Sequence, residues 1–331
     1  MGFVPLNLLA HSEKSGKSIQ LHLLPILMLR FLKRLLLAFV LFSICTVIIS
    51  AASMAHPALE REIWGYRNFN YGANNIRLLD FNEACRNGAT YDYLFLGSST
   101  TYRSVNPRML EPHGIGAFNL GSSSQSLRNS YRLLQWAFNH PCSFNEVQLG
   151  LDENVLTSDG YESTIEFIMN NNQAIDLDFG RMTLDYGDPY TVLTWFFYGL
   201  RRQLRPAILT PPGADTYIDG GFVFANEEPA LEFDCAPRNI EISQESQVLI
   251  SRIQRLCNQN QTEFRLLIPP SPCDITWSLQ SGLEDRTLDG NEWPDAKVDS
   301  MYYDKVHLRG PAANSYSNWL GAKFKRLAGK K

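Results

Sequence analysis

Apolar residues fall along this chain in three rhythms. The first is unbroken: Leu35 to Ala52 is an 18-residue run without a charge, close to the roughly 20 residues that carry a helix across a bilayer. It has no polar face, which argues against the core helix of a soluble domain. The second rhythm is a set of short bursts, Tyr93–Leu96, Ala117–Leu120, Val147–Leu151 and Phe264–Ile268, each closed by Gly, Pro or Asp. Their length and boundaries are those of buried strands. The third is a helical period at Ser126–Phe138, Ser243–Cys257 and Tyr316–Phe324. Buried strands alternating with helices predict an α/β domain, a parallel sheet covered on both faces. Ligands of such sheets bind beyond the strands' carboxyl ends, where Gly97, Gly121 and Asp152 would lie.

The regular pattern starts at Tyr91. Before it, residues 56–89 are mixed and aromatic-rich, with a loop expected over Trp64–Gly72. From about 155 to 241 the rhythm lapses, which reads as an insertion or cap over the sheet edge. It carries Phe167-Ile168-Met169, a helix expected at Tyr190–Arg202 and turns at Pro211–Gly213 and Asp219–Gly221. The aromatic run Trp195–Tyr198 could face an acyl chain, a membrane or a partner, but core packing is the commoner use of such residues. Ile268-Pro269-Pro270-Ser271-Pro272 reads as a rigid turn that ends a strand.

Arg30, Lys33 and Arg34 precede the apolar run. The positive-inside tendency then divides the chain into a cytoplasmic segment, 1–34, a transmembrane anchor, 35–55, and an exported domain, 56–331. A signal peptide competes with the anchor, since Ser53-Met54-Ala55 offers small residues for cleavage near Ala55 and Met28 could be the true start. The protein is then either single-pass, with its N-terminus cytoplasmic and its domain extracytoplasmic, or secreted or periplasmic. In both cases the larger part is exported, and the membrane is a partner through residues 35–52.

Composition narrows the function. With 331 residues the chain can form one large enzyme domain. Its net charge of -4 and lack of a basic stripe argue against nucleic acid. Six cysteines are present. Cys45 lies in the apolar run, and Cys85, Cys142, Cys235, Cys257 and Cys273 show no Cys-x-x-Cys spacing, so one or two disulfides are expected with pairing left open. No metal site or cofactor is expected: His113 and His140 lack a partner at ligand spacing, and Gly97 is followed by neither a dinucleotide loop nor a P-loop.

Two stretches about 200 residues apart carry candidate chemistry. Gly97-Ser98-Ser99-Thr100 follows the first strand, and Asp304-Lys305-Val306-His307 lies near the C-terminus. A serine hydroxyl attacks an acyl carbon only when an imidazole can take its proton, and the imidazole needs a third group to fix its tautomer. A loop or first turn can aim both side chains of an Asp-x-x-His at one serine. Each motif alone is also ordinary loop composition.

Their order resembles the SGNH, or GDSL-like, hydrolase superfamily, in its membrane-tethered branch. The family's first block, Gly-Asp-Ser, corresponds to Leu96-Gly97-Ser98-Ser99-Thr100-Thr101, with Ser98 replacing the Asp. Its last, Asp-x-x-His-Leu, corresponds to Asp304-Lys305-Val306-His307-Leu308. The resemblance implies a three-layer flavodoxin-like fold, with Ser99 as nucleophile, His307 as base and Asp304 as its partner. In Ala117-Phe118-Asn119-Leu120-Gly121-Ser122 it implies that the Gly121 N–H stabilises the oxyanion. The third block, Gly-x-Asn-Asp, meets Gly150-Leu151-Asp152-Glu153-Asn154. Here Asp152 stands near the ligand without a proton to donate, and Asn154 is the nearest third donor at the wrong spacing, its competing role being a helix N-terminal residue.

These readings converge on an exported serine esterase or O-acyltransferase. It would act on O-acyl groups of cell-envelope glycans, lipid-linked intermediates or small esters, with a membrane-bound O-acyltransferase as a possible partner. The alternative is a catalytically silent module of the same fold that holds a glycan or a membrane partner.

Overall fold

The computed structural model describes residues 13–55, 72–170, 177–185, 192, 215–225, 233–279 and 282–329. The chain divides into two units, 1–67 and Asn68–Lys331. The first holds one long helix, α1 (Glu13–Ala55), of which Met28–Ile49 has a mean hydropathy of 2.3 and no buried side chain. It is long and apolar enough to span a membrane or to serve as a signal sequence.

The second unit is the α/β domain. Helix α2 (Gly72–Arg86) opens it, followed by β1 (Thr90–Leu96), α3 (Ser99–Ser104), β2 (Ala117–Asn119), α4 (Leu127–Phe138), β3 (Ser143–Gly150), α5 (Glu153–Thr157), α6 (Tyr161–Asn170) and α7 (Leu177–Asp185). Then come β4 (Asp215–Ile218), β5 (Phe222–Ala225), β6 (Arg238–Glu241), α8 (Gln244–Gln259), β7 (Glu263–Ile268), β8 (Ile275–Ser278), β9 (Thr287–Asp289) and α9 (Gly310–Ala328). Five strands form one parallel sheet in the order β2-β1-β3-β7-β9. Counted within the sheet this is 2-1-3-4-5, the doubly wound order with its switch point between the first and third strands.

The strand side chains explain the two layers of helix. Along β1, Leu94 and Leu96 enter a core shared with Leu78 and Phe81 of α2, Leu134 of α4 and Ile253 of α8. Phe95, between them, enters the opposite core with Ala313, Tyr316, Leu320 and Phe324 of α9. The period of two along a strand puts alternate residues on opposite faces, and each large apolar side chain withdrawn from water contributes about 1.5–3 kcal/mol. Two expected helix starts are N-capped, Ser126 Oγ accepting the Asn129 N–H at 3.2 Å and Ser243 Oγ the Ser246 N–H at 3.1 Å.

The expected insertion supplies α6, α7 and the β4–β5 hairpin. The hairpin meets the sheet at its edge, where the Gly220 carbonyl accepts the N–H of Asn119 in β2 at 2.8 Å. Helix α2 corrects the reading of residues 56–89 as irregular, because Leu78, Phe81 and Cys85 are fully enclosed. Cys85 pairs with Cys142 and Cys235 with Cys273, while Cys45 and the buried Cys257 are free. Nearly all of the Trp64–Gly72 loop, the Tyr190–Arg202 helix apart from Val192, the Trp195–Tyr198 run and the Pro211–Gly213 turn lie outside the described residues.

Candidate active site

The strand β1 ends in a turn that only glycine fits. Gly97 has φ +145°, and a Cβ there would strike Thr101 Oγ1 and lie 3.2 Å from the Gly150 Cα. The chain reverses into α3, whose N-cap is Ser98. From Leu94 to Tyr102 every residue is buried except Ser99, which is partly exposed. The turn therefore presents one hydroxyl to solvent and packs the rest.

The second motif arrives on a tight loop. Tyr302 and Leu308 bridge antiparallel, the Tyr303 N–H donates to the His307 carbonyl at 3.2 Å and the Tyr302 hydroxyl donates to the Ala296 carbonyl at 2.7 Å. Within it Asp304 Oδ1 accepts the N–H groups of Val306 at 2.9 Å and His307 at 2.7 Å, while Oδ2 meets His307 Nδ1 at 2.7 Å. His307 Nε2 lies 2.8 Å from Ser99 Oγ. The Tyr303 ring stacks on the imidazole with centroids 5.4 Å apart, fixing its plane. Burial alone would raise the Asp304 carboxyl, but the hydrogen bond and charge of His307, with the two amides, hold it below the usual carboxylate value.

Ser99, His307 and Asp304 thus form one hydrogen-bonded line. The chain of contacts has the layout in which an imidazole deprotonates a hydroxyl while a carboxylate steadies its tautomer.

Gly121 is placed differently from expectation. Its N–H donates to Asn119 Oδ1 at 3.0 Å, and the next amide, that of Ser122, donates to the Gly97 carbonyl at 3.0 Å. Neither is aimed at an oxyanion beside Ser99. The role of Gly121 here is close packing: an added Cβ would lie 3.1 Å from the Gly97 carbonyl and 3.2 Å from Tyr102 Cβ. Asn154 sits in the first turn of α5, exposed, with Asp152 rather than itself as the cap. The amide of Ser99 lies in the first turn of α3, where N–H groups lack an intrahelical acceptor.

Three further features escaped the sequence reading. Asp152 is hydrogen-bonded to Ser98 and Thr100 on either side of Ser99. Burial pushes its carboxyl up, against the pull of those hydroxyls and of the Val155 and Asn154 amides. Arg77 of α2 is buried over the Tyr102 ring, 4.6 Å from its centroid, and donates to the carbonyls of Gly121 and Gly221, joining α2, α3 and the hairpin. Glu166 of α6 accepts the Ser123 N–H at 2.9 Å, and burial raises its carboxyl to about 8.

A cavity of about 240 Å³ adjoins the site, with Thr100, Asp152, Asn154 and Val306 in its lining together with Pro270, Trp277 and Arg238. It is the space beyond the strand ends in which a ligand of this fold would sit. No protein-family model and no curated protein sequence matches this chain.

Proposed function

We propose that this protein is a serine esterase or O-acyltransferase of the SGNH type, acting on O-acyl groups through an acyl-enzyme at Ser99. The observation that carries the reading is the line from Ser99 Oγ through His307 to Asp304, with contacts of 2.8 and 2.7 Å. In the first half-reaction His307 Nε2 takes the hydroxyl proton as Ser99 Oγ bonds to the ester carbonyl carbon. Collapse of the tetrahedral intermediate expels the alcohol, which leaves with the proton from His307. Water or a second hydroxyl, deprotonated in turn by His307, then attacks the acyl-enzyme and releases Ser99. The amide of Ser99, in the first turn of α3, would donate to the oxyanion.

The apolar stretch of α1, with Arg30, Lys33 and Arg34 at its start, supports a single-pass protein whose domain is extracytoplasmic,. Two disulfides agree with an oxidising compartment,. The cavity's indole, prolines and polar rim suit a sugar ring better than a long acyl chain, which supports O-acylated envelope glycans or their lipid-linked precursors as substrates. A membrane-bound O-acyltransferase that supplies or receives the acyl group is a fitting partner.

A second reading, a silent glycan-binding module, is favoured by one observation: the Gly121 N–H is engaged by Asn119. Labelling of the purified protein with a fluorophosphonate, and hydrolysis of p-nitrophenyl acetate, separate the two. We expect wild-type labelling that Ser99→Ala abolishes; labelling that survives Ser99→Ala removes the assignment, and no turnover with measurable glycan binding supports the silent module.

A further inference from the structure

Two departures from the resembled motifs touch one another. Ser98 stands where the first block has an Asp, and Asp152 stands where the third has an Asn. Ser98 Oγ donates to Asp152 Oδ2 at 2.5 Å, Thr100 Oγ1 donates to the same oxygen, and the two hydroxyls lie 2.6 Å apart. Asp152 Oδ1 meanwhile accepts the Val155 N–H at 2.9 Å. One carboxylate at the end of β3 therefore grips the residues before and after Ser99 and the first turn of α5.

We propose that Asp152 is the positioning residue of the nucleophile, holding Ser99 Oγ in line with His307 through the hydroxyls of Ser98 and Thr100. This rests on Ser99 being the nucleophile. An ionised Oδ2 accepts from both hydroxyls, whereas a protonated one must also place its own O–H. With their protons directed to Asp152, neither flanking hydroxyl can donate to Ser99 Oγ and blunt its attack. Ser98 and Thr100 are themselves buried, while Asp152 is half-buried and lines the cavity. A carboxylate at this place cannot donate to an oxyanion, so it serves aim and leaves charge stabilisation to amides.

The other charged groups nearby are Glu153 of α5, ion-paired to Arg238 of β6 at 2.6 Å, and Asp304 and His307 across Ser99. Neither pair contacts the clamp oxygen. Protonation of Asp152, which burial favours, turns Oδ2 into a donor and releases one hydroxyl. Turnover is then lost as pH falls through that ionisation.

The test uses the full-length protein, with p-nitrophenyl acetate turnover and fluorophosphonate labelling measured across pH for wild type, Asp152→Ala, Asp152→Asn and Thr100→Val. Displacing a nucleophile by about 1 Å costs on the order of 10²-fold in rate. We expect Asp152→Ala to lose about that much kcat with little change in KM, since the clamp acts on the attacking group. Thr100→Val, which removes one donor and no charge, should lose less and keep the fold. Asp152→Asn should recover part of the turnover and drop one ionisation from the acid limb of the profile. Wild-type kcat in folded Asp152→Ala, or an unchanged pH profile in Asp152→Asn, overturns the proposal while leaving Ser99 as nucleophile. If Asp152→Ala does not fold, an unaffected Thr100→Val overturns it instead. A wild-type protein that no fluorophosphonate labels overturns the nucleophile and the clamp together.

Discussion

A methyl group added to Gly150 should be tolerated only if Thr101 gives way. Gly150 closes β3 without a left-handed backbone, so alanine there is conformationally ordinary. Its Cβ, however, would strike Thr101 Oγ1 and lie 3.0 Å from Thr101 Cβ and 3.2 Å from Cγ2. Thr101 is fully buried and cannot swing into solvent, so the cost is that of overpacking, about 1–3 kcal/mol. Gly97 faces the same hydroxyl, and its φ of +145° adds a second penalty that repacking cannot remove. Such backbone strain is about 1–3 kcal/mol, which puts Gly97→Ala at roughly 2–6 kcal/mol.

Thr101→Ala deletes Oγ1, the atom behind the worst contact at both glycines, and leaves Cβ in place. In a double-mutant cycle followed by urea denaturation, Gly150→Ala and Thr101→Ala should couple favourably by about 1–2 kcal/mol. Gly97→Ala should be rescued only in its steric share and remain impaired in fluorophosphonate labelling. A Gly150–Thr101 coupling below about 0.5 kcal/mol, the scatter expected of independent sites, refutes the argument. So does full recovery of Gly97→Ala by Thr101→Ala.

Removing the Cys85–Cys142 bridge by a double alanine substitution frees a loop with a sequence separation of 57. Chain entropy puts the loss near 4 kcal/mol, a fall in Tm of roughly 8–16 °C for a unit of this size; a change within error in thermal melts would show the loop already restrained without the bond. Asp304→Asn should lower kcat by about 10⁴-fold. Because the folded Asp304 ionises below its ordinary value, the stability it adds is complete above about pH 4 and is lost as pH falls below that. Melting curves of wild type and Asp304→Asn should converge on acidification, and a gap that widens there contradicts the geometry.

Much of this was legible because periodicity and punctuation agree. Leu94, Phe95 and Leu96 form a buried burst closed by Gly97, and Ser126 and Ser243 announce the helices they cap. The line from Ser99 to Asp304 was legible for a chemical reason, since Asp-x-x-His is short enough for backbone amides to fold it onto one carboxylate. What stayed hidden depends on partners remote in sequence. Strand β9, Thr287–Asp289, has one buried apolar residue, Leu288, and becomes a strand only by pairing with β7. Helix α2 carries Arg and Asn among its apolar positions, and Arg77 donates to the carbonyls of Gly121 and Gly221, 44 and 144 residues further along the chain. The resemblance implies that the Gly121 N–H is an oxyanion donor, but Asn119, two residues earlier, claims it. Asp152 falls in the third block, but its contact with Ser98 is visible only once β1 and β3 lie side by side.

The Gly220 carbonyl that meets Asn119 has a consequence for how the chain is made. β2 is an outer strand, and an open outer strand is a template for pairing with another chain. The group that occupies it lies 101 residues downstream in the sequence. At about 5–20 residues per second, synthesis leaves that edge uncovered for roughly 5–20 s. The hairpin is thus a late-arriving guard, and shortening the protein between 155 and 241 would trade a smaller chain for a permanently sticky one.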